Sequence, residues 1–225
     1  MIRTNLNNYL MSYVILRRVI GILGMLLPFL CVFFGYAFAS LGIQRSISYY
    51  YHTNVQDLFV GLMITVSLFL ITYKGYDLLD NCVSTFSGIF GIGLALFPCK
   101  VSSCDIGPVG LFQIDPQKSD KLHATFAALF FLLLAINSIF LFTKSKKKTH
   151  RTKQKIIRNR IYIVCGCFMI VMMSILIILM NALSEKARND YFVVLVIEAL
   201  MLIAFGISWT IKGETIFKDK DQRRV

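Results

Sequence analysis

Residues 191–211 read YFVVLVIEALMLIAFGISWTI, an apolar run broken by one ionisable side chain, Glu198. A segment of about 20 apolar residues matches the roughly 30 Å hydrocarbon thickness of a bilayer when wound as an α-helix. Five more windows of the same kind lie upstream, at Val19–Leu41, Asp57–Tyr73, Cys82–Pro98, Leu122–Thr143 and Ile161–Leu183. The pattern predicts an all-α integral membrane bundle of about six transmembrane helices. Residues 1–225 form a single transmembrane domain, with no soluble domain, linker or internal repeat. The second and third windows are short, and their polar edges (Asp57, Lys74, Asp77, Asp80) are expected at the interface.

Composition supports this class. Apolar residues make up 56% of the chain and charged residues 16%, against about 25% charged in a typical soluble domain. Mean hydropathy is +0.67. The net charge of +12 would suit nucleic acid, but the cations sit in short stretches between apolar runs, and nucleic-acid binding is not expected. With both termini in the cytoplasm, 18 of the 24 Lys and Arg fall on the cytoplasmic side, as the positive-inside rule requires. The sequence Ala37-Phe38-Ala39 resembles a leader-peptide cleavage site, but the preceding apolar stretch is too long for one, so an uncleaved first span is expected.

Small residues four apart predict where helices pack, because association in lipid relies on close approach. Ser84 and Gly88, the set Ser87, Gly91 and Ala95, and then Ala124, Ala128 and Ala135 form such stripes. They are expected to line the bundle core, and an oligomer of identical chains would use the same pattern. Pro28 is expected to bend the first span. Trp209 and the run Tyr49-Tyr50-Tyr51 suit an interfacial aromatic belt.

Glu198 carries the most chemistry. A carboxylate well inside a span is costly unless paired, protonated or wetted. The topology puts His123, Asp57, Arg45, Ser46, Ser48 and His52 on the same side of the membrane. Glu198, His123 and Asp57 could therefore meet near the outer leaflet as acid and base groups. Asp57 also suits a helix N-terminus on dipole grounds alone. On the inner side, Lys74-Gly75-Tyr76-Asp77 and Lys212-Gly213-Glu214 place a lysine and a glycine at helix exits. Pairing of Lys74 with Glu214, or Lys212 with Asp77, would staple those ends. The basic loop from Lys144 to Arg160 anchors topology and could attract anionic lipid, each cation adding about 1 kcal/mol.

Of six cysteines, Cys99 and Cys104 share the outer loop, where an oxidising compartment would permit a disulfide. Neither metal-ligand spacing nor a Walker, zincin or nucleophile-elbow motif occurs, so no metal or cofactor is expected. Asp57-Leu58-Phe59-Val60-Gly61, Tyr73-Lys74-Gly75-Tyr76-Asp77, Phe97-Pro98, His123 before Ala127-Ala128-Leu129-Phe130-Phe131, Arg158-Asn159-Arg160-Ile161-Tyr162 and Phe205-Gly206-Ile207-Ser208-Trp209 together resemble a bacterial multi-pass family, that of domain of unknown function 998. The resemblance implies a small protein of the bacterial inner (plasma) membrane without an assigned reaction, and it directs attention to Asp57, Lys74, Asp77, His123 and Glu198. Three functions fit these residues: binding of a small ligand, lipid headgroup or proton; hydrolysis of a lipid by Glu198, His123 and Asp57; or proton-linked transport.

Overall fold

The computed structural model describes residues 2–100, 107–108, 110–144, 152–184, 186–187 and 191–213, with side chains from residue 14 onward. Most of the described residues are helical, with no strand among them. Six long helices run as α1 (Ile2–Ala39), α2 (Gln56–Thr72), α3 (Leu78–Leu96), α4 (Pro116–Ile136), α5 (Lys153–Ala182) and α6 (Val193–Lys212). A short 3₁₀ turn (Ser48–His52) sits between α1 and α2, and a π-helical turn (Asn137–Leu141) prolongs α4. Five helices are long and apolar enough to cross a membrane, and α2 is an apolar helix of 17 residues.

Several helices begin earlier than the apolar windows because side-chain caps, not hydropathy, set their starts. Asp77 accepts a hydrogen bond from the Asp80 N–H and opens α3. Asp115 caps α4 through the N–H groups of Gln117 and Lys118, with Pro116 in the first turn. Thr152 caps α5 through Lys155. Each satisfies donors that a helix start leaves unpaired.

Successive helices pack side by side, and the ring closes through α6 against α1, the largest interface in the bundle. That closure depends on glycine. A Cβ on Gly21 would sit 2.6 Å from the Gly206 carbonyl oxygen and would also strike the Thr210 hydroxyl. A Cβ on Gly24 would enter the Phe205 ring. At the end of this seam Arg18 donates from Nε to the Gly213 carbonyl at 2.8 Å. The first helix is therefore an integral wall of the bundle. Pro28 lies within its unbroken helix.

The small stripe on α3 packs inward as expected. Ser84, Ser87, Gly88, Gly91 and Ala95 are all buried. Gly88 and Gly91 lie against Ser67 of α2, and Gly91 also meets Phe130 of α4. On α4 only Ala135 keeps that role, its carbonyl facing Gly166 of α5. Ala124 and Ala128 instead border a cavity.

The aromatic expectations change. Trp209 is fully buried and packs edge-on against Tyr73 and Phe142, at 5.0 Å between ring centroids in each case. Tyr50 and Tyr51 are also buried. None of the three is a belt residue, because each fills space between helices. Large apolar side chains point outward instead, among them Phe29, Phe33, Leu68, Phe86, Phe140, Val164 and Ile178. Such a surface suits lipid and would be a liability in water.

The α1–α6 seam gives the first prediction. Gly21→Ala should lower stability by about 1–3 kcal/mol through overpacking. Gly61→Ala, where a Cβ would meet nothing within 4 Å, should not. Thermal unfolding of both variants in detergent measures the difference.

Candidate functional site

The two ends of the bundle differ. One gathers Arg17, Arg18, Lys74, Lys144, Lys155, Arg158 and Lys212; the other is roofed by the linker between α1 and α2. The roof begins where α1 ends. Ser40 adopts a left-handed conformation (φ 51°), and the Leu41 N–H returns to the Gly35 carbonyl at 2.9 Å. This return, six positions back along the chain, closes the helix end around the left-handed Ser40. The linker then turns back into the bundle, burying Ser46, Ile47, Ser48, Tyr50, Tyr51 and Val55. Tyr50 packs against Gly35, where a Cβ would stand 2.9 Å from the ring.

Glu198 explains why the linker dips inward. It lies five residues beyond Val193, the first residue of α6, or about 7–8 Å along a helix at 1.5 Å per residue. Its Oε2 accepts the Ile47 N–H at 2.6 Å and the Ser46 hydroxyl at 2.8 Å. The Ser46 hydroxyl is also within 3.0 Å of Oε1. The linker thus brings polar hydrogen to a carboxylate that hydrocarbon could not solvate. Nearby, the Leu195 N–H donates to the Arg45 carbonyl at 3.1 Å, tying the first turn of α6 to the same segment.

His123 is fixed from two sides. Its Nδ1 lies 2.7 Å from the Phe97 carbonyl oxygen and its Nε2 lies 2.9 Å from Ser48 Oγ. A carbonyl oxygen only accepts, so Nδ1 carries the proton, and neutral imidazole then presents Nε2 as an acceptor. The carbonyls that follow α3 are each matched. Ser119 donates to Pro98 O at 2.7 Å, and His52 Nε2 lies 2.7 Å from Cys99 O. Asp120 accepts the Lys100 N–H at 2.8 Å. The Phe97–Lys100 segment is therefore pinned between the linker and the first turns of α4.

Beside these groups opens a cavity of about 510 Å³ between α4, α5 and α6. Its polar end is formed by Arg45, Ser46, Ser48, Lys100, Asp120, His123 and Glu198. Deeper in, Ala124, Ala127, Ala128, Phe131, Met173 and Leu176 make an apolar slot. Toward the other end of this seam, Gly166 of α5 lies against Ala135 of α4 and Ile139 of the π-helical turn. Small alanines toward the roofed end leave the remaining gap unfilled.

The structure brings Glu198 and His123 to one cavity, bridged by Ser46 and Ser48. Asp57 does not join them: it is exposed in the first turn of α2 and is not among the cavity-lining residues. Val55, Phe59 and Met63 turn that face inward, and a residue two positions from Val55 points about 200° away at 3.6 residues per turn. The sequence places Ser46 and Ser48 on the same side as Glu198 without assigning them a partner, and nothing local marks Asp120. The contacts that select the two serines span 75 and 152 positions, and that of Asp120 spans 20. Cys99 has a free, buried thiol, and burial pushes its pKa up. Cys104 lies outside the described residues, as does any bond between the two. Among the described residues no cluster of His, Cys, Asp or Glu could hold a metal ion. Compared with known proteins, the chain matches no family model, no curated protein and no solved structure.

The basic end departs from the expected staples. Lys144, not Lys212, reaches Asp77, at 2.8 Å, and also pairs with Asp80. Lys212 instead donates to the Phe142 carbonyl at 3.2 Å, with its ammonium 5.0 Å from the ring centres of Tyr76 and Phe142. It is buried, and the acid expected for it already has a cation. Lys74 is exposed, and Glu214 lies outside the described residues. Lys74 and Asp77 thus belong to the end opposite the cavity.

Two predictions follow from these contacts. Glu198→Ala should leave the buried Ile47 N–H and Ser46 hydroxyl without their acceptor, at a cost of about 1–3 kcal/mol per unsatisfied group. Hydrogen exchange should then rise across residues 45–50, and unchanged exchange would refute the tie. At the basic end, the Lys144 ammonium and the Asp80 N–H hold the Asp77 carboxyl down to about 2, from 3.8. Its contribution is therefore complete above about pH 4 and lost as pH falls through about 2. Asp77→Asn keeps the cap but removes the charge. Its melting temperature should fall below wild type near neutral pH and converge with it in acid.

Proposed function

We propose that this protein is a six-span membrane protein that takes up a lipid-like amphiphile in the cavity between α4, α5 and α6. The observation that carries the reading is the polarity gradient of that cavity. Charged and hydroxyl groups cluster at the roofed end, and an alanine- and methionine-lined slot continues toward the bundle centre. A headgroup with both donors and acceptors fits the first part, and a hydrocarbon chain fits the second. The volume lies within the roughly 300–1,000 Å³ usual for small-molecule sites.

Orientation follows from charge. Cations concentrate at the end where α1 starts its apolar portion and α6 finishes, which supports a cytoplasmic position for that end. The cavity then faces the outer leaflet, and the Lys144–Arg160 segment lies against anionic lipid on the inside. Kinship with the family of domain of unknown function 998 rests on the local strings quoted above. Those strings include Phe97-Pro98 and His123, which are joined by a hydrogen bond at the cavity. Hydrolysis by Glu198, His123 and Asp57 as a unit is not favoured, since Asp57 stands apart. Proton-linked transport is not favoured either, since the sequence shows no inverted repeat or broken helix pair.

A photoactivatable phosphatidylcholine tests the reading. It should crosslink to α4 and α5 peptides bordering the cavity. Ala128→Trp, which fills the slot, should reduce that labelling at least about tenfold while the protein still melts as a folded species. Equal labelling of wild type and variant would refute occupancy of the cavity.

A further inference from the structure

We infer that Ser48 and His123 form a nucleophile and general-base pair that cleaves a carboxylic ester of the amphiphile held in the cavity. The inference rests on the amphiphile-binding reading and adds a reaction to it.

The geometry has the parts that serine acyl transfer needs. Ser48 Oγ stands 2.9 Å from His123 Nε2, inside hydrogen-bond reach for proton abstraction. The bond from Nδ1 to the Phe97 carbonyl fixes the ring and leaves Nε2 as the basic nitrogen, the orienting role that a third group plays in activated nucleophiles. Ser48 itself is held at the start of the 3₁₀ turn, its N–H donating to Ser46 Oγ at 3.1 Å. Both side chains border the cavity where its polar end meets the apolar slot. Each residue is less than 10% exposed (7% for both), so the cavity is their route to a substrate. An ester linking a headgroup to an acyl chain would place its carbonyl at this junction. Arg45 and Lys100 border the same space and supply positive charge for the oxyanion that develops.

The chemistry balances without a redox partner. Ser48 Oγ bonds to the ester carbonyl carbon as its proton passes to His123 Nε2. The C–O bond to the leaving alcohol breaks, and that proton leaves on the alcohol. Water then attacks the acyl-Ser48 carbonyl, giving a proton to His123. The acyl–Oγ bond breaks, His123 returns the proton to Ser48, and a carboxylic acid is released. The sum is ester plus water to acid plus alcohol.

The test uses the full-length protein in detergent with hexadecyl fluorophosphonate, which traps activated serines. Intact-mass and peptide mapping should find one adduct, on Ser48. Ser48→Ala should abolish it, and His123→Gln should slow it about 100-fold or more, the usual scale for a general base. The same preparations are photolabelled with the phosphatidylcholine probe. Wild type that crosslinks the lipid but leaves Ser48 unmodified would overturn the reaction and keep the binding site. Wild type that does neither would overturn both. An adduct on another serine, or one formed as fast in a folded His123→Gln variant, would also overturn the pair. The wild-type result decides even if a variant fails to fold.

Discussion

The Glu198 carboxylate is held by a main-chain N–H and a serine hydroxyl that arrive from the far end of the sequence, and the rest of the upper structure is arranged around that contact. A carboxylate within an apolar helix needs polar hydrogen, and of the first N–H groups of α6 that of Leu195 goes to the Arg45 carbonyl and that of Val196 to Phe192. The α1–α2 linker supplies it by folding into the bundle. Once Ser46 and Ile47 are drawn to Glu198, Ser48 follows two residues later and is brought to His123. One electrostatic demand thus positions two further polar groups.

The opposite wall has the same logic. A helix end within or near hydrocarbon must satisfy its last carbonyls, and after α3 those of Phe97, Pro98 and Cys99 take side-chain donors from His123, Ser119 and His52. His123 therefore serves the backbone through one nitrogen and faces Ser48 with the other. A histidine bound only to solvent would have no fixed tautomer; here the carbonyl chooses it. The polar groups form a continuous chain from α6 through the linker to α4 and the end of α3, which makes them a coupled set rather than isolated burials.

What the sequence disclosed depended on range. The six apolar windows fall within or close to the helices, since hydropathy is local, and the α3 stripe from Ser84 to Ala95 packs inward because small residues four apart share one helix face. The edges were less legible, since caps at Asp115 and Thr152 extend α4 and α5 beyond their apolar portions. Glu198 and His123 stood out as ionisable groups in or beside apolar runs. Asp57 stood out for the same reason yet faces away, and the Val55, Phe59 and Met63 stripe already implied as much. Ser46 and Ser48 are ordinary residues in an ordinary linker. Only the fold, by bringing position 48 to 123 and 46 to 198, gives them a role. The Lys144 pairing with Asp77 and Asp80 was hidden likewise, because it joins residues 64 to 67 positions apart.

Packing decides where a cavity can open. Glycine at Gly21, Gly24 and Gly206 draws α1 onto α6, and Gly88 and Gly91 draw α3 onto α2, so those seams are closed along their contact. Between α4 and α5 the only glycine contact is Gly166 against Ala135 and Ile139, in the half nearer the basic end. Toward the roof the facing residues are alanines on α4 and flexible methionines on α5, which neither bring the backbones together nor fill the space between them. The gap forms where Glu198, Ser48 and His123 converge. An open gap beside a buried histidine–serine pair is the arrangement expected when a ligand supplies the missing packing.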